Sequence, residues 1–169
     1  MNSRDVIETW FRLYEKDISR YLAYYTGGTD IEDFVQETFL KALYSLDQYR
    51  ASSHPKTWLI SIARNVARDS FRRNSKQHLF LNFSRKQKED RSDSIEDQLL
   101  IDEEQRHLYR TIVKLKDSYR DVIYVKGILE MKSSECAEIL GWSTNKVDVT
   151  FFRALKKLKK LLEEGPYEK

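Results

Sequence analysis

The sequence predicts an all-α fold of two small helical domains joined by a tether, and three observations predict it. Apolar residues recur at helical spacing along most of the chain. No stretch alternates apolar and polar residues with period two, and no Asn-Gly or Asp-Gly pair offers a hairpin turn. Residues 74–94 break the periodicity with a polar, charged run interrupted only by Leu79, Phe80, Leu81, Asn82 and Phe83, a composition that reads as a flexible linker between residues 1–73 and 95–169.

Composition narrows the class further. Five Gly and two Pro among 169 residues exclude collagen-like and low-complexity chains, and 12% aromatic residues suit a packed core. The single cysteine, Cys136, excludes an internal disulfide and a multi-cysteine zinc site. It points to a reducing compartment. The first residues, MNSRDVIETW, have no apolar run suited to a signal peptide, and no 18 consecutive residues are apolar, so a soluble cytoplasmic protein is expected. His54, His78 and His107 lie far apart without metal-ligand spacing. Neither a metal nor a cofactor is expected.

The elements follow in order. A first helix should run from about Asp5 to Tyr25 and stop at Gly27 and Gly28. Thr29 and Glu32 make a capping box for a second helix that continues to about Leu46. Pro55 suits the first turn of a third, which extends to about Arg73. After the tether, periodicity returns with Ile95, Leu99, Leu100, Leu108, Ile112 and Leu115, then Val122 and Ile123. Ser133 to Leu140, Gly141 and a longer helix from about Thr144 have the spacing of a helix-turn-helix, with small Ala137 at the helix contact and Val147 ten residues on.

Charge is segregated along the chain. The formal total is only +3, but residues 1–48 carry −4, 49–91 carry +8, 92–109 carry −5 and 110–169 carry +4. A polyanion would meet the two basic blocks at separate places. The acidic run 92–109 suggests no role by itself.

Helical projection then separates inner from outer faces. In residues 30–46, Ile31, Phe34, Val35, Phe39, Ala42 and Leu46 form the core side, while Asp33, Gln36, Glu37, Leu40 and Tyr44 share the outer side. Two large apolar groups within a polar stripe suggest a protein-binding patch. In residues 55–73, Trp58, Leu59, Ile62, Ala63 and Val66 point inward. Thr57, Ser61, Arg64, Arg68 and Arg72 line the other face, with Asn65 beside them, Arg73 near the end and no carboxylate in register: a cationic rail suited to phosphate. The preceding loop, with Tyr49, Arg50, Ala51, Ser52, Ser53 and His54, could hold unstacked bases; Trp58 could stack on a base or pack in the core. In the last helix Val147, Phe151, Ala154, Leu155, Leu158 and Leu162 should be buried, opposite Lys146, Val149, Arg153, Lys156 and Lys160, with Asn145 near its start. A basic outer face on the second helix of the motif marks a recognition helix.

Together these segments resemble the extracytoplasmic-function sigma factors of bacterial RNA polymerase. DIEDFVQETFLKAL (30–43) is similar to the family's core-binding helix, KTWLISIARNVARDSFRR (56–73) to its promoter-melting helix, and ECAEILGWSTNKVDVTFFRALKKLKK (135–160) to its C-terminal helix-turn-helix. The resemblance implies that Asp33, Gln36, Glu37, Leu40 and Tyr44 dock on the clamp helices of the largest polymerase subunit. It implies that Tyr49, Arg50, Ser52, Ser53, His54, Lys56, Arg64, Asn65, Arg68, Arg72 and Arg73 meet the downstream promoter element, where a base is extruded. Ser143, Thr144, Asn145, Lys146, Asp148, Val149, Thr150, Arg153, Lys156 and Lys157 would meet the upstream element in the major groove. Further implied partners are the flap of the second largest subunit and an anti-sigma factor, soluble or membrane-bound, with no membrane insertion by this chain. The polymerase, not this chain, would perform the chemistry.

Departures from the family pattern carry their own expectations. Where relatives commonly have Gly-Thr-Val-Lys-Ser-Arg, this chain has Asn145, Lys146, Val147, Asp148, Val149 and Thr150, so two cationic positions are lost and both affinity and preferred sequence should change. Asp148 would either accept a hydrogen bond from a cytosine amino group or repel phosphate, and Asp148→Lys should strengthen upstream binding if repulsion dominates. Val149 could touch a thymine methyl. Lys132 stands where a capping Ser is frequent, which shifts the expected cap to Ser133 or Ser134. Pro55 replaces a frequent aromatic residue. Two readings compete with the resemblance: a dimeric helix-turn-helix regulator, which leaves the outer stripe of 33–44 without a task, and a metal-dependent nuclease built on Asp30, Glu32, Asp33 and Glu37, which lacks a completing His or second acidic motif.

Overall fold

The computed structural model describes residues 1–28, 30–81 and 102–165. Every regular element among them is helical, and the chain divides into two compact units, Met1–Gln98 and Leu99–Lys169. In the first, α1 (Ser3–Thr26), α2 (Ile31–Tyr44) and α3 (Pro55–Leu81) pack pairwise around one core, with a short 3₁₀ turn (Leu46–Gln48) after α2.

Local chemistry sets the boundaries. Asn2 caps α1 two residues ahead of the expected start: its side chain accepts from the Asp5 N–H at 2.9 Å, and the Asp5 carboxylate accepts from the Asn2 N–H at 3.4 Å. Gly27 ends the helix in the left-handed region (φ 78°), its N–H donating to Ala23 O. The start of α2 differs from the expected capping box. Thr29 lies outside the described residues, and the cap position is taken by Asp30, left-handed (φ 54°) and without a side-chain cap bond. Helix α3 continues to Leu81 and so claims residues 74–81 from the expected tether. No Gly or Pro interrupts residues 56–81, so the backbone hydrogen-bond ladder can extend beyond the last core contact. The remainder of the tether expectation, 82–94, lies outside the described residues.

Ile18, Leu22, Leu59, Ile60 and Val66 are completely or almost completely buried, each adding about 1.5–3 kcal/mol through the water it excludes. An aromatic cluster covers one end of this core. Trp10 meets Tyr49 edge-on at 4.9 Å and Trp58 at 6.0 Å, and Tyr49 tilts against Trp58 at 5.2 Å. Trp58 therefore packs within this cluster while remaining half-buried.

In the second unit α4 (Glu103–Val113) is followed by α5 (Asp117–Val122), which widens into a π turn (Ile123–Ile128), then α6 (Ser133–Leu140) and α7 (Thr144–Glu163). The long helix α7 is the hub, touching α4, α5, the π turn and α6. Part of the acidic run now has a function. The Asp102 side chain accepts from the Gln105 N–H at 2.9 Å, Glu103 and Glu104 lie in the positive first turn of α4, and Glu103 reaches Arg106 and Arg110 at 3.8 and 3.9 Å.

Cys136 is completely buried on α6 and donates to Met131 O at 3.6 Å. Burial pushes its thiol up to about 11, against the opposing pull of Lys126. At pH 8 the thiolate fraction is about a hundredfold below that of an exposed cysteine. Alkylation by iodoacetamide at pH 8 should accordingly run at least about a hundredfold slower in the folded protein than in urea, rising as pH approaches 11. Equal rates in the two states would contradict this placement.

Candidate functional site

Helix α2 presents most of its expected outer stripe, while Ile31 and Leu46, expected in the core, are half-buried. Phe34, Val35, Thr38, Phe39 and Ala42 are buried. The Thr38 hydroxyl fits this apolar side because it donates to Phe34 O at 2.6 Å within its own helix. On the other side Asp33 and Gln36 are exposed, and Glu37, half-buried, pairs with Lys41 at 3.4 Å. Leu40 is 51% exposed and Tyr44 78%. A groove of about 410 Å³ links Lys41, Tyr44 and Ser45 to Ile62 and Asn65 of α3.

The rail on α3 needs correction. Arg64 is only 8% exposed and Thr57 is buried completely, whereas Trp58 and Ile62, expected inside, are half-buried. The buried arc of α3 runs through Thr57, Leu59, Ile60, Ala63, Arg64, Val66 and Ala67, broader than its apolar stripe alone, so two polar members go inside with it. The outward line is Asn65, Asp69, Arg72 and Arg73, all exposed, with Ser61 and Arg68 half-buried beside it. Asp69 also places a carboxylate in register, which the projection excluded. Arg73 Nε donates to Asp69 O at 3.4 Å.

The loop before α3 is fastened from within. The Tyr49 hydroxyl donates to Ser53 O, the Ser53 N–H to Arg50 O at 2.9 Å, and the Lys56 N–H to His54 Nδ1 at 3.2 Å. The His54 ring lies 5.8 Å from Tyr14. Tyr49 is thus committed to the aromatic cluster, while Arg50, Ser52 and His54 are exposed and Lys56 is half-buried. Beneath them the hydroxyls of Ser53 and Thr57 are buried without a hydrogen-bond partner among the described residues.

The helix-turn-helix forms with the expected turn. Gly141 is left-handed (φ 70°, ψ 32°), and Trp142 N donates to Ala137 O at 3.0 Å. A Cβ at Gly141 would touch nothing within 4 Å, so glycine is needed there for conformation rather than space. The cap of α6 stays at Lys132, whose N–H donates to Glu135 Oε2 at 2.9 Å; neither Ser133 nor Ser134 takes it. Ser143 caps α7, its hydroxyl accepting from the Lys146 N–H at 3.1 Å.

On α7, Val147, Ala154 and Leu158 are buried, Phe151 and Leu162 are half-buried, and Leu155, expected in the core, is 43% exposed. Phe152 is exposed beside it. Four lysines, at 156, 157, 159 and 160, are exposed on the same stretch of the helix. The outward face holds Thr144, Asn145, Lys146, Val149, Arg153, Lys156 and Lys157, with Thr150 half-buried at its edge. Lys146 Nζ sits 4.5 Å over the Trp142 ring. Asp148 is exposed but engaged: it accepts a hydrogen bond from Ser133.

Among the described residues no group of three or more His, Cys, Asp or Glu side chains could hold a metal ion, and no helix is long and apolar enough to cross a membrane. Residues 10–77 match the family model for Sigma-70 region 2, and residues 105–158 that for Sigma-70 region 4. The chain is 34% identical to RNA polymerase sigma factor YlaC of Bacillus subtilis strain 168, over 99% of its own length and 98% of the relative's. It is 30% identical to the ECF RNA polymerase sigma factor SigX of the same organism, over 94% and 84%. The solved structure of CnrH in complex with the cytosolic domain of CnrY is 25% identical with a TM-score of 0.67, covering 96% of this chain and 90% of that one.

Proposed function

Because the chain belongs to the extracytoplasmic-function family of RNA polymerase sigma factors, non-catalytic factors of promoter-specific transcription initiation, we propose the following division of labour among its helices. The stripe of α2 docks on the clamp helices of the largest core-polymerase subunit. The loop 49–56 and α3 engage and open the downstream promoter element. The outward face of α7 reads the upstream element.

One observation carries this reading: Leu40 and Tyr44 stand exposed among Asp33, Gln36 and Glu37. Exposed apolar groups ringed by polar ones are the anatomy of a protein interface, and a DNA-binding regulator without a polymerase would have no use for them. Downstream, Arg68, Arg72 and Arg73 supply phosphate contacts, with Asn65 beside them. Arg50, Ser52 and His54 offer exposed donors, and the buried hydroxyls of Ser53 and Thr57 lie at the base of the loop, where an extruded base could use them. Arg64 supports α3 from inside rather than touching DNA.

The region 4 unit would also meet the polymerase flap. The similarity to a chain solved with the cytosolic domain of CnrY supports a protein partner of anti-sigma type; such a partner would cover these faces, in the cytoplasm where core polymerase resides. Sedimentation with purified core polymerase tests the reading. Stoichiometric co-migration, with transcription from selected promoters, is expected; sedimentation of the chain apart from the polymerase would refute it.

A further inference from the structure

A polar contact joins α7 to two of its neighbours at Ser133. This residue opens α6, and its hydroxyl accepts from Lys126 Nζ at 2.8 Å while donating to Asp148 Oδ1 at 2.5 Å. Lys126 comes from the π turn and Asp148 from the first turns of α7, and their charged atoms are 3.9 Å apart. Three elements therefore meet through one hydroxyl. A serine has a single proton to give, so the chain has one direction, from ammonium to hydroxyl to carboxylate. Both hydrogen bonds are charge-assisted and each polarises the other.

The same edge of α7 is held a second time. Phe151 packs over Gly127, where a Cβ would already lie 3.4 Å from its ring, and Lys126 Nζ is 5.5 Å from that ring's centroid. Apolar burial of Val147, Ala154 and Leu158 holds α7 against the unit. The polar chain through Ser133 adds a directional contact on one edge.

We propose that Lys126, Ser133 and Asp148 form a positioning clasp that fixes the roll of α7, and thereby decides which base edges meet Asn145, Val149 and Arg153. Asp148 then shapes promoter preference through Ser133 and Lys126 without touching DNA. This assignment rests on the reading that α7 enters the major groove. It stands against both direct roles expected for the carboxylate: Oδ1 is held by Ser133, which fixes the orientation of the group, and the charge that would repel phosphate has Lys126 at 3.9 Å.

The test uses the full chain bound to core polymerase and selection from a randomised upstream element. Lys126→Met, Ser133→Ala and Asp148→Ala should each reduce discrimination about fivefold to tenfold, spread over several adjacent base pairs; combining Lys126→Met with Asp148→Ala should do no more than the stronger single change. Asp148→Asn, which retains an acceptor for Ser133, should keep most of the discrimination, and it separates loss of the clasp from loss of folding. The proposal is overturned if Asp148→Ala alters preference at one base pair while Lys126→Met is silent, which would mean direct base contact. It is equally overturned if Asp148→Ala raises affinity for all sequences in a salt-dependent way, as phosphate repulsion requires. An unmodified holoenzyme without any upstream preference would instead overturn the groove reading, and the clasp's role with it.

Discussion

Alanine at both Leu40 and Tyr44 is expected to weaken binding to core polymerase by about 10²–10³-fold, the loss typical of removing two central interface anchors. Both side chains lie outside the core, at 51% and 78% exposure, so the melting temperature should stay where it is. That separation makes the experiment decisive, because a misfolded variant would also lose binding. Circular dichroism melting and titration of fluorescent core polymerase measure the two effects. Glu37→Ala should cost much less, since the carboxylate is already paired with Lys41 at 3.4 Å and exposed pairs contribute little. Undiminished core binding by the double variant would remove α2 from the interface.

The second large effect concerns α3. Replacing Arg68, Arg72 and Arg73 together by alanine should lower open-complex formation about 100-fold or more at moderate salt, and reduce the slope of log affinity against log salt by about 2–3, because each phosphate contact releases counterions. Core binding should persist, since the proposed docking stripe lies on α2. Permanganate footprinting of melted thymines reads the opening, and co-sedimentation reads the docking. Arg64 is absent from this set for a structural reason: at 8% exposure its replacement would disturb the packing of α3 and blur the result. Loss of core binding by the triple variant would show that the two faces are not independent.

These two predictions differ in how far they could be reached without a structure. The stripe on α2 follows from a projection at 100° per residue, because α2 buries one broad side and leaves the other to solvent. The rail on α3 does not. The buried arc of α3 is broader than its apolar stripe, so Thr57 and Arg64 are drawn inside and the exposed line rotates to Asn65, Asp69, Arg72 and Arg73. The length of α3 was equally hidden: beyond Arg73 its apolar period fades, yet no residue type stops the backbone ladder before Leu81. In α7 the pattern led to Val147, Ala154 and Leu158 but also to Leu155, which the structure leaves at 43% exposure.

What the sequence by itself determined is the local part: helices rather than strands, the breaks at Gly27 and Gly141, the helix-turn-helix spacing and the separation of charge into blocks. Each depends on residues within a few positions of one another, where backbone sterics and helical period act directly. Tertiary structure alone decided the meeting of Lys126, Ser133 and Asp148, the commitment of Tyr49 to Trp10 and Trp58, and the burial of Arg64. Ser133 and Asp148 are 15 positions apart, and no period in the chain encodes their encounter. Their distance is set by how α6 and α7 pack, and packing also determines which polar groups find a partner and which are left to bind something else.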